Sequence, residues 1–444
     1  METLNFVCRL ILQIFSVLSA YKIVLAVIGF FVKEKPLPPP VPFSKKYGVV
    51  ICARNEERVI ANLIASIRAQ TYDGDKLTVF VCADNCSDRT AEICRELGCV
   101  VYERHDPSRA RKGYALQFLF ENIARDYGIR SFDGYFFFDA DNLLKKDFVE
   151  CMNRMFTPES GVIVGYRNTK NFDTNIISAA YGMHFYESTM KYHRARHCLG
   201  LSTHIAGTGY LVNSRLLEGG WPYTCLTEDA QFTVHVVAKG EKIEFCEQAE
   251  FFDEQPHNFF VGWRQRMRWT KGRIFAFFTG VCGLVAGIFR RKGAARKISC
   301  YDIFFYEFPY ALFSLILGGL YPVLTALLSI FHGTFWANLN LPSLIPVALG
   351  AAALYYLKQV ALGALVCFRE RRHIRCPKGK LVLYVLTWVW FSAVSMPILV
   401  VSLFQRIKWK PIVHDDAKTI EEIDAQKTVT ESADAARGRD TEEA

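Results

Sequence analysis

Two carboxylates stand one residue apart at the end of an apolar run with the sequence Gly-Tyr-Phe-Phe-Phe-Asp-Ala-Asp. They are Asp139 and Asp141. In an extended backbone, residues i and i+2 point to the same side, so both carboxylates can face one cation. Oxygen ligands of this kind suit a hard divalent ion that bridges to a diphosphate. A turn with two solvated acids is the alternative.

A second pair of carboxylates, Glu228 and Asp229, lies in Leu-Thr-Glu-Asp-Ala, soon after the tripeptide Gly207-Thr208-Gly209. A positioned carboxylate can deprotonate an attacking hydroxyl, and we predict Asp229 in this role with Glu228 as the fallback. The two glycines would let a substrate approach the backbone closely. Capping of a helix N-terminus is the alternative use of both acids.

Polar residues also follow the first two predicted strands. Asn55 and Glu56 belong to Cys-Ala-Arg-Asn-Glu-Glu, and Asp84 begins Asp-Asn-Cys-Ser-Asp. Asp84 could accept a hydrogen bond from a nucleobase, although helix capping alone would also explain both groups. Lys112, in Arg-Lys-Gly-Tyr, could neutralise a phosphate or could be an exposed lysine at a helix start. Two acidic strand ends side by side favour a nucleoside pocket.

A fifth group lies in Trp-Arg-Gln-Arg-Met-Arg-Trp. Gln265, Arg268, Trp269 and Gly272 fall at i, i+3, i+4 and i+7, which is one face of a helix. Arg268 could pair with a diphosphate, and Trp269 could stack on a sugar ring. An interfacial amphipathic helix without chemistry is the alternative, because it uses the same basic and aromatic residues.

These groups need a sheet that brings strand ends together. The segments 47–53, 77–83 and 133–139 are rich in β-branched and aromatic residues, while 56–70 has helical spacing. Such alternation predicts an α/β domain with a mostly parallel sheet and helices on both faces. Ligands of open sheets bind beyond the carboxyl ends of the strands, which is where the polar groups stand.

Apolar segments flank this domain in a chain of 444 residues that is 51% hydrophobic. Residues 4–32 predict an uncleaved anchor rather than a signal peptide, and 303–331, 344–368 and 381–404 are each long enough to span a bilayer. The loop 369–380 carries six basic residues and is predicted to be cytoplasmic, whereas the loop 332–341 has none. One span before the domain and three after it predict a C-terminus outside. The basic residues Arg406, Lys408 and Lys410 favour the cytoplasm instead, and a re-entrant last segment that leaves Trp409 along the inner surface is the alternative.

Cysteine usage and charge indicate in which compartment the protein lies and which partners it is expected to have. The 14 cysteines show no zinc or disulfide spacing, which predicts a reducing compartment for the soluble part. The net charge of +9 fits the basic rim of a membrane protein, and no nucleic-acid motif accompanies it, so no nucleic-acid partner is expected. The tail from Ala417 is charged and poor in large apolar residues, which predicts disorder.

The order Ala-Arg-Asn-Glu, Ala-Asp-Asn, Asp-Ala-Asp, Thr-Glu-Asp and Gln-Arg-Met-Arg-Trp resembles the family 2 glycosyltransferases. The resemblance is to the membrane-integrated branch with hyaluronan, chitin-oligosaccharide, poly-N-acetylglucosamine and cellulose synthases. It covers about residues 47–275, and five motifs in this order are specific although each is weak. It implies a GT-A (Rossmann-like) nucleotide-sugar-binding domain with about four transmembrane helices and interfacial helices.

The resemblance also implies residue roles. The donor site would comprise Ala53, Asn55, Glu56, Asp84, Lys112 and Asp139. Asp139 and Asp141 would bind a Mg²⁺ or Mn²⁺ ion, and Asp229 would be the catalytic base. The acceptor and diphosphate site would comprise Gly207, Thr208, Gly209, Gln265, Arg268 and Trp269. Arg54 stands where many relatives have an aromatic residue, so the resemblance does not imply that the residue at this position stacks on the uracil.

The implied reaction is a single displacement that inverts the anomeric carbon of a UDP-sugar. We predict processive synthesis of a β-polysaccharide from UDP-N-acetylglucosamine or UDP-glucose, with a possible partner subunit. Single-sugar transfer to a lipid, as in ceramide glucosyltransferases, is the alternative. A transporter or an inactive subunit fits less well, because charged residues in the predicted spans are few and all motif carboxylates are present.

The expected organisation is a multi-pass protein of the cell membrane with a cytoplasmic catalytic domain. Its parts are an anchor over 1–35, a Pro-rich linker over 36–46, the GT-A domain over 47–257, amphipathic interfacial helices over 258–300, three transmembrane helices over 301–404 and a partly disordered tail over 405–444.

Overall fold

The computed structural model describes residues 2–334, 341–407, 412, 414–423 and 425. Eight strands form one sheet in the order β3-β2-β1-β4-β7-β6-β8-β5. They are β1 Tyr47–Ala53, β2 Leu77–Asp84, β3 Val100–Arg104, β4 Gly134–Asp139, β5 Leu143–Leu144, β6 Val162–Thr169, β7 Tyr210–Asn213 and β8 Ile243–Asp253.

Helices cover both faces of the sheet and continue beyond it. Those that begin and end within the sheet domain are α3 Ile60–Arg68, α4 Thr90–Glu96, α5 Lys112–Asp126, α6 Phe148–Met155, α7 Ile176–Ser188, α8 Arg194–Cys198 and α9 Glu228–Ala238. The others are α1 Glu2–Ser19, α2 Tyr21–Phe31, α10 Phe259–Arg290, α11 Ala294–Glu307, α12 Tyr310–Phe331, α13 Leu341–Arg369, α14 Lys378–Thr387, α15 Val389–Ala393 and α16 Ser395–Phe404.

The sheet is parallel in its first half and mixed in its second. Strands β3, β2, β1 and β4 are parallel, as the alternating pattern predicts. Strand β7 then runs antiparallel to both β4 and β6, and β5 runs antiparallel to β8. The α/β GT-A-type architecture is therefore confirmed, with a reversal at β7 that the strand pattern did not indicate.

Register brings the polar strand ends to one level. Cys52 pairs with both Cys82 and Asp139, so β1, β2 and β4 end together. Along β4, Tyr135 and Phe137 belong to one buried core and Phe136 and Phe138 to the other. Burial on both faces is typical of a central parallel strand and explains why this run is continuously apolar.

Within the described ranges, five helical segments are long and apolar enough to cross a membrane: Thr3–Phe31, Phe259–Arg290, Tyr310–Phe331, Leu344–Arg369 and Lys378–Phe404. Four of them correspond to predicted spans. The predicted span 303–331 is interrupted, because α11 ends at Glu307 in a buried position and α12 begins only after Pro309. The predicted span 381–404 is divided into the three short helices α14, α15 and α16.

The tail contradicts two predictions. Ala417 accepts a hydrogen bond from Asn62 of the sheet domain, so the tail and this domain lie on the same side, and the predicted outside C-terminus is wrong. Ile420 and Ile423 are buried against Leu143 and Phe252. Disorder from residue 417 is therefore wrong for residues 417–423, because two isoleucines provide the apolar contact. The rest of the predicted tail disorder, and most of the loop 332–341, lie outside the described residues.

Candidate active site

A cavity of about 830 Å³ opens at the carboxyl ends of β1, β2 and β4 and is bounded opposite them by α10. Most of the predicted site residues line it, although they come from seven separate segments of the chain. They are Ala53, Glu56, Asp84, Lys112, Asp139, Asp141, Gly207, Glu228, Asp229, Gln265, Arg268 and Trp269.

Three predicted residues shape the site without lining it. Asn55, with a φ of 58°, accepts a hydrogen bond from the Ser87 amide at 2.8 Å and so joins the two loops after β1 and β2. The Thr208 hydroxyl accepts a hydrogen bond from the Asp139 amide at 2.9 Å. A Cβ at Gly209 would lie 2.0 Å from the Phe251 ring, so only glycine fits there.

At the end of the cavity beside β2, Asp84 is 5% exposed. Arg104 donates a hydrogen bond to its carboxylate at 2.6 Å, and Asn85 donates another at 2.8 Å. Burial raises the pKa of Asp84 although Arg104 opposes the change. Arg104 was not among the predicted residues, because it lies at the end of β3 in a segment without a motif.

The carboxylate of Glu56 is bonded to the tail. His414 Nδ1 lies 3.0 Å and 3.1 Å from the two carboxylate oxygens of Glu56. Burial alone would lower the pKa of His414, but Asp141, Glu56 and Glu254 outweigh it and raise the pKa to about 10. The histidine is therefore a cation at neutral pH, inside a group of acids, and it is one of the tail residues that line the cavity.

The paired carboxylates after β4 differ in their surroundings. Asp139 forms an ion pair with Lys112, whose ammonium also donates to the Gly207 carbonyl at 2.8 Å. Asp141 is buried, and its carboxylate accepts a hydrogen bond from the Glu254 amide at 2.7 Å. Burial opposes ionisation of Asp141, but nearby cations, His414 first, lower its pKa. A buried carboxylate that stays ionised suits a divalent cation.

The second pair of acids begins α9. Burial and, second, the charge of Asp229 raise the pKa of Glu228 to about 7. Burial also raises the pKa of Asp229. A Cβ at Gly207 would lie 3.7 Å from the Asp229 carboxylate, so the absence of a side chain at this position leaves space in the cavity next to the acid. Two adjacent acids with raised pKa values, Glu228 buried and Asp229 half-buried, are suited to proton transfer.

Helix α10 supplies the wall that faces these acids. A Cβ at Gly272 would lie 2.6 Å from the Thr227 side chain, so glycine at this position lets α10 approach the start of α9. The side-chain amide oxygen (Oε1) of Gln265 is buried without a hydrogen-bond partner among the described residues. Trp269 packs edge-on against the rings of Tyr181 and Phe185, at centroid distances of 5.9 Å and 6.2 Å.

Several charged residues of the cavity were not predicted as site residues. Arg167 pairs with Asp253 and lies over the Phe185 ring at 3.7 Å. Arg273 donates a hydrogen bond to Glu307 at 2.9 Å. Only Glu307 gave a signal in the sequence, as an isolated acid at the start of a long apolar segment.

A family model described as "Glycosyltransferase like family 2" matches residues 44–272. The chain is 29% identical over 280 residues to the probable glycosyltransferase YdaM of Bacillus subtilis, a match that covers 60% of this chain and 63% of the relative. It is 24% identical over 245 residues to the beta-monoglucosyldiacylglycerol synthase of Synechocystis, covering 53% of this chain and 50% of that protein.

A third relative is the poly-beta-1,6-N-acetyl-D-glucosamine synthase of Staphylococcus epidermidis, 23% identical over 273 residues, with 57% of this chain and 62% of the relative covered. The matches thus span less than two thirds of these proteins. Among solved structures, the mannosyltransferase PcManGT from Pyrobaculum calidifontis in complex with GDP-Man and Mn²⁺ superposes with a TM-score of 0.54 at 15% identity, covering 88% of this chain and 99% of that one. At this level of identity, the similarity shows a shared fold.

Proposed function

Because the chain belongs to the family 2 glycosyltransferases, we propose that its cavity transfers a sugar from a UDP-sugar to a hydroxyl acceptor at a membrane, with inversion of the anomeric carbon. The observation that carries this proposal is the distribution of acids in one cavity. Asp139 and Asp141 stand at the sheet edge, and Asp229 stands at the start of α9 in the same wall.

The donor would lie along the strand ends. Asp84 and Glu56 are placed to accept hydrogen bonds from a nucleoside, with Ala53 beside them. Asp139 and Asp141 would hold a Mg²⁺ or Mn²⁺ ion, which neutralises diphosphate charge when bound. Lys112 and Arg268 supply fixed positive charge for the same diphosphate, so the leaving group meets cations that need no rearrangement.

Asp229 would take the proton of the acceptor hydroxyl as that oxygen attacks the anomeric carbon. Its raised pKa makes it a stronger base than a solvated carboxylate. Glu228 is more deeply buried and is the fallback. A single attack from the side opposite the leaving UDP turns an α-linked donor into a β-linked product.

We place the catalytic domain in the cytoplasm of a multi-pass protein. All 14 cysteines are free thiols, two of them exposed, as expected in a reducing compartment. The six basic residues of the segment 369–380 favour the same side.

Extension of a saccharide by UDP-N-acetylglucosamine or UDP-glucose is the form of the reaction that we favour, because the aromatic cluster around Trp269 offers apolar surface to sugar rings. One observation favours the second form, transfer of a single sugar to a lipid. Helix α12 contacts α1 and α16, but none of its residues is buried, so it packs loosely for a helix that would frame a polymer channel.

The test is incubation of the purified protein in lipid with radiolabelled UDP-N-acetylglucosamine, UDP-glucose or GDP-mannose. Size-resolved chains that a β-glycosidase degrades would support saccharide extension. One sugar on an extractable lipid would establish the second form. No product with any of these donors, from protein that binds UDP, would contradict both.

A further inference from the structure

Arg273 of α10 is an ion-paired cation that the proposed reaction does not use. Its Nε donates a hydrogen bond to the Glu307 carboxylate at 2.9 Å, and Nη2 donates another to the Tyr306 carbonyl at 3.0 Å. The guanidinium also lies over the Tyr306 ring, 4.7 Å from its centroid. Three contacts with the end of α11 therefore hold this cation in one place.

The same cation stands close to the proposed base. At the start of α9, a Cβ added to Gly272 would lie 2.6 Å from the Thr227 side chain. Arg273 is the next residue of α10, and Asp229 stands two residues after Thr227. The Arg273 side chain is 41% exposed and lines the cavity, whereas that of Glu307 is 2% exposed. The cation is therefore the member of the pair that is presented to the cavity.

Charged and titratable groups surround Asp229 from several elements. They are Glu228 and Cys225 of its own segment, Lys112 of α5, Tyr210 of β7, Arg268 and Arg273 of α10, and Glu307 of α11. Burial raises the pKa of Asp229, while the Ala230 amide and the three cations lower it. Lys112 is already paired with Asp139, and Arg268 is assigned to the diphosphate. Arg273 is thus the cation of the three whose contacts lie on the side away from the donor.

The rings that support Arg273 add no charge of their own. Tyr306 stacks on His204 with the ring centroids 4.2 Å apart, and His204 stacks on His193 at 4.5 Å. Burial, and after it His193 and Arg273, hold the pKa of His204 well below its usual range. Burial likewise raises the pKa of Tyr306. Both rings are therefore neutral at neutral pH and do not offset the charge of Arg273.

We propose that Arg273 is a positioning residue of the transfer reaction, fixed by Glu307 and Tyr306 where its charge favours the ionised carboxylate of Asp229. The inference rests on the proposed role of Asp229 as the base. In that step the acceptor hydroxyl gives its proton to Asp229, its oxygen bonds to the anomeric carbon, and UDP leaves with the electron pair of the broken bond. Arg273 exchanges no proton, because a guanidinium stays protonated in proteins, and it acts through its fixed charge.

Variants of the two partners should move the pH profile in opposite directions. R273Q removes a cation near Asp229, so the base ionises less readily and the acid limb of kcat/KM should move to higher pH. E307Q removes an anion and leaves Arg273 uncompensated, so the limb should move to lower pH. We expect each shift to be on the order of one pH unit, the lower end of the effect of one close charge. The double variant R273Q/E307Q should return the limb toward its original position.

Control variants separate this electrostatic role from a structural one. R273K keeps the charge and should leave the acid limb nearly in place, even if the rate falls. R215Q and E241Q each break the ion pair between Arg215 and Glu241, which lies beyond the other end of α9, and neither should move the limb. The Kd for UDP, measured by calorimetry, would show that each variant is folded.

Shifts of the same sign in R273Q and E307Q, or no shift in either folded variant, would overturn the inference. If R273Q does not fold, E307Q decides, and an acid limb that does not move to lower pH in E307Q would overturn it. Unmodified protein that transfers no sugar would contradict the proposed function and this inference with it. Unmodified protein that transfers sugar, with variants that lack the opposite shifts, would contradict this inference alone.

Discussion

Glu228 and Asp229 are neighbours in sequence and line the same side of the cavity, so the charge of each acid changes the proton affinity of the other. Because both pKa values are raised and the base must be ionised, the rate should fall as the pH drops through this raised range. We expect kcat/KM to fall on the acid side at a pH above the usual carboxylate pKa of about 4. A pH profile measured with the neutral variant E228Q should show this limb at lower pH, since one negative charge has gone.

Replacing Asp229 with asparagine keeps the size of the side chain and removes its basicity. We expect D229N to reduce kcat by roughly 10²–10⁴-fold, the range for loss of a general base. The Kd for UDP, measured by calorimetry, should change little, because the donor carboxylates remain. Near-normal turnover in D229N would assign the base elsewhere, with Glu228 first.

The prediction about the divalent metal ion concerns Asp141. Removing this buried carboxylate should weaken UDP binding in the presence of Mn²⁺ and leave metal-free binding almost unchanged, since its proposed role is to hold the ion. Calorimetry with D141A, with and without Mn²⁺, measures this difference. D147A, which removes an exposed acid six residues away, is the control. An unchanged metal effect in D141A would move the ion to other ligands.

At the residue scale, the motif residues could be predicted because they follow strands whose ends are aligned by parallel pairing. Asp84 and Asp139 are examples. His414 and Arg104 could not be predicted, since each reaches the site by a long-range contact from a segment that has no motif. Asn55 and Gly209 were placed in the right region, but backbone conformation and close packing explain their positions without substrate contact.

At the element scale, the approach of α10 to α9 depends on glycines. An added methyl group at Gly280 would meet Val234 at 2.1 Å. We therefore expect G280A to destabilise the protein by about 1–3 kcal/mol, the usual cost of overpacking. A thermal unfolding assay with the protein in lipid should show a lower Tm and reduced transfer. Alanine is otherwise the better helix former.

The control for this prediction is G319A in α12, where a Cβ would meet nothing within 4 Å. Its Tm should be unchanged or slightly higher. Equal behaviour of the two variants would contradict the packing described for α10.

The predicted boundaries of helices and strands agree with the structure where the local sequence signal is strong. Strand β1 occupies the predicted residues 47–53, because an apolar β-branched run is bounded on both sides by polar residues. The reversal at β7 carried no such signal, since a short buried strand has the same composition in either direction. The turns at Trp388 and Val394 divide α14, α15 and α16 but keep helical backbone angles, so the predicted span 381–404 remains one segment long and apolar enough to cross a membrane.

At the scale of the whole molecule, the tail and the sheet domain lie on the same side. A cysteine introduced at Lys418 should therefore react with a membrane-impermeant maleimide in the same sealed vesicles as the native Cys198. A cysteine at Thr334, just beyond the far end of α12, should show the opposite accessibility if α12 crosses the bilayer. Accessibility of Lys418→Cys that matches Thr334→Cys instead would contradict the described fold.

The central claim is inverting transfer from a UDP-sugar in the cavity between the sheet edge and α10. The most direct test is NMR of the product formed from a UDP-sugar labelled with ¹³C at the anomeric carbon, with D229N as the negative control. We predict a β-linked product, one UDP released for each linkage, and a rate with D229N that is lower by roughly 10²–10⁴-fold. An α-linked product, or formation of the product by D229N at a near-normal rate, would contradict the mechanism.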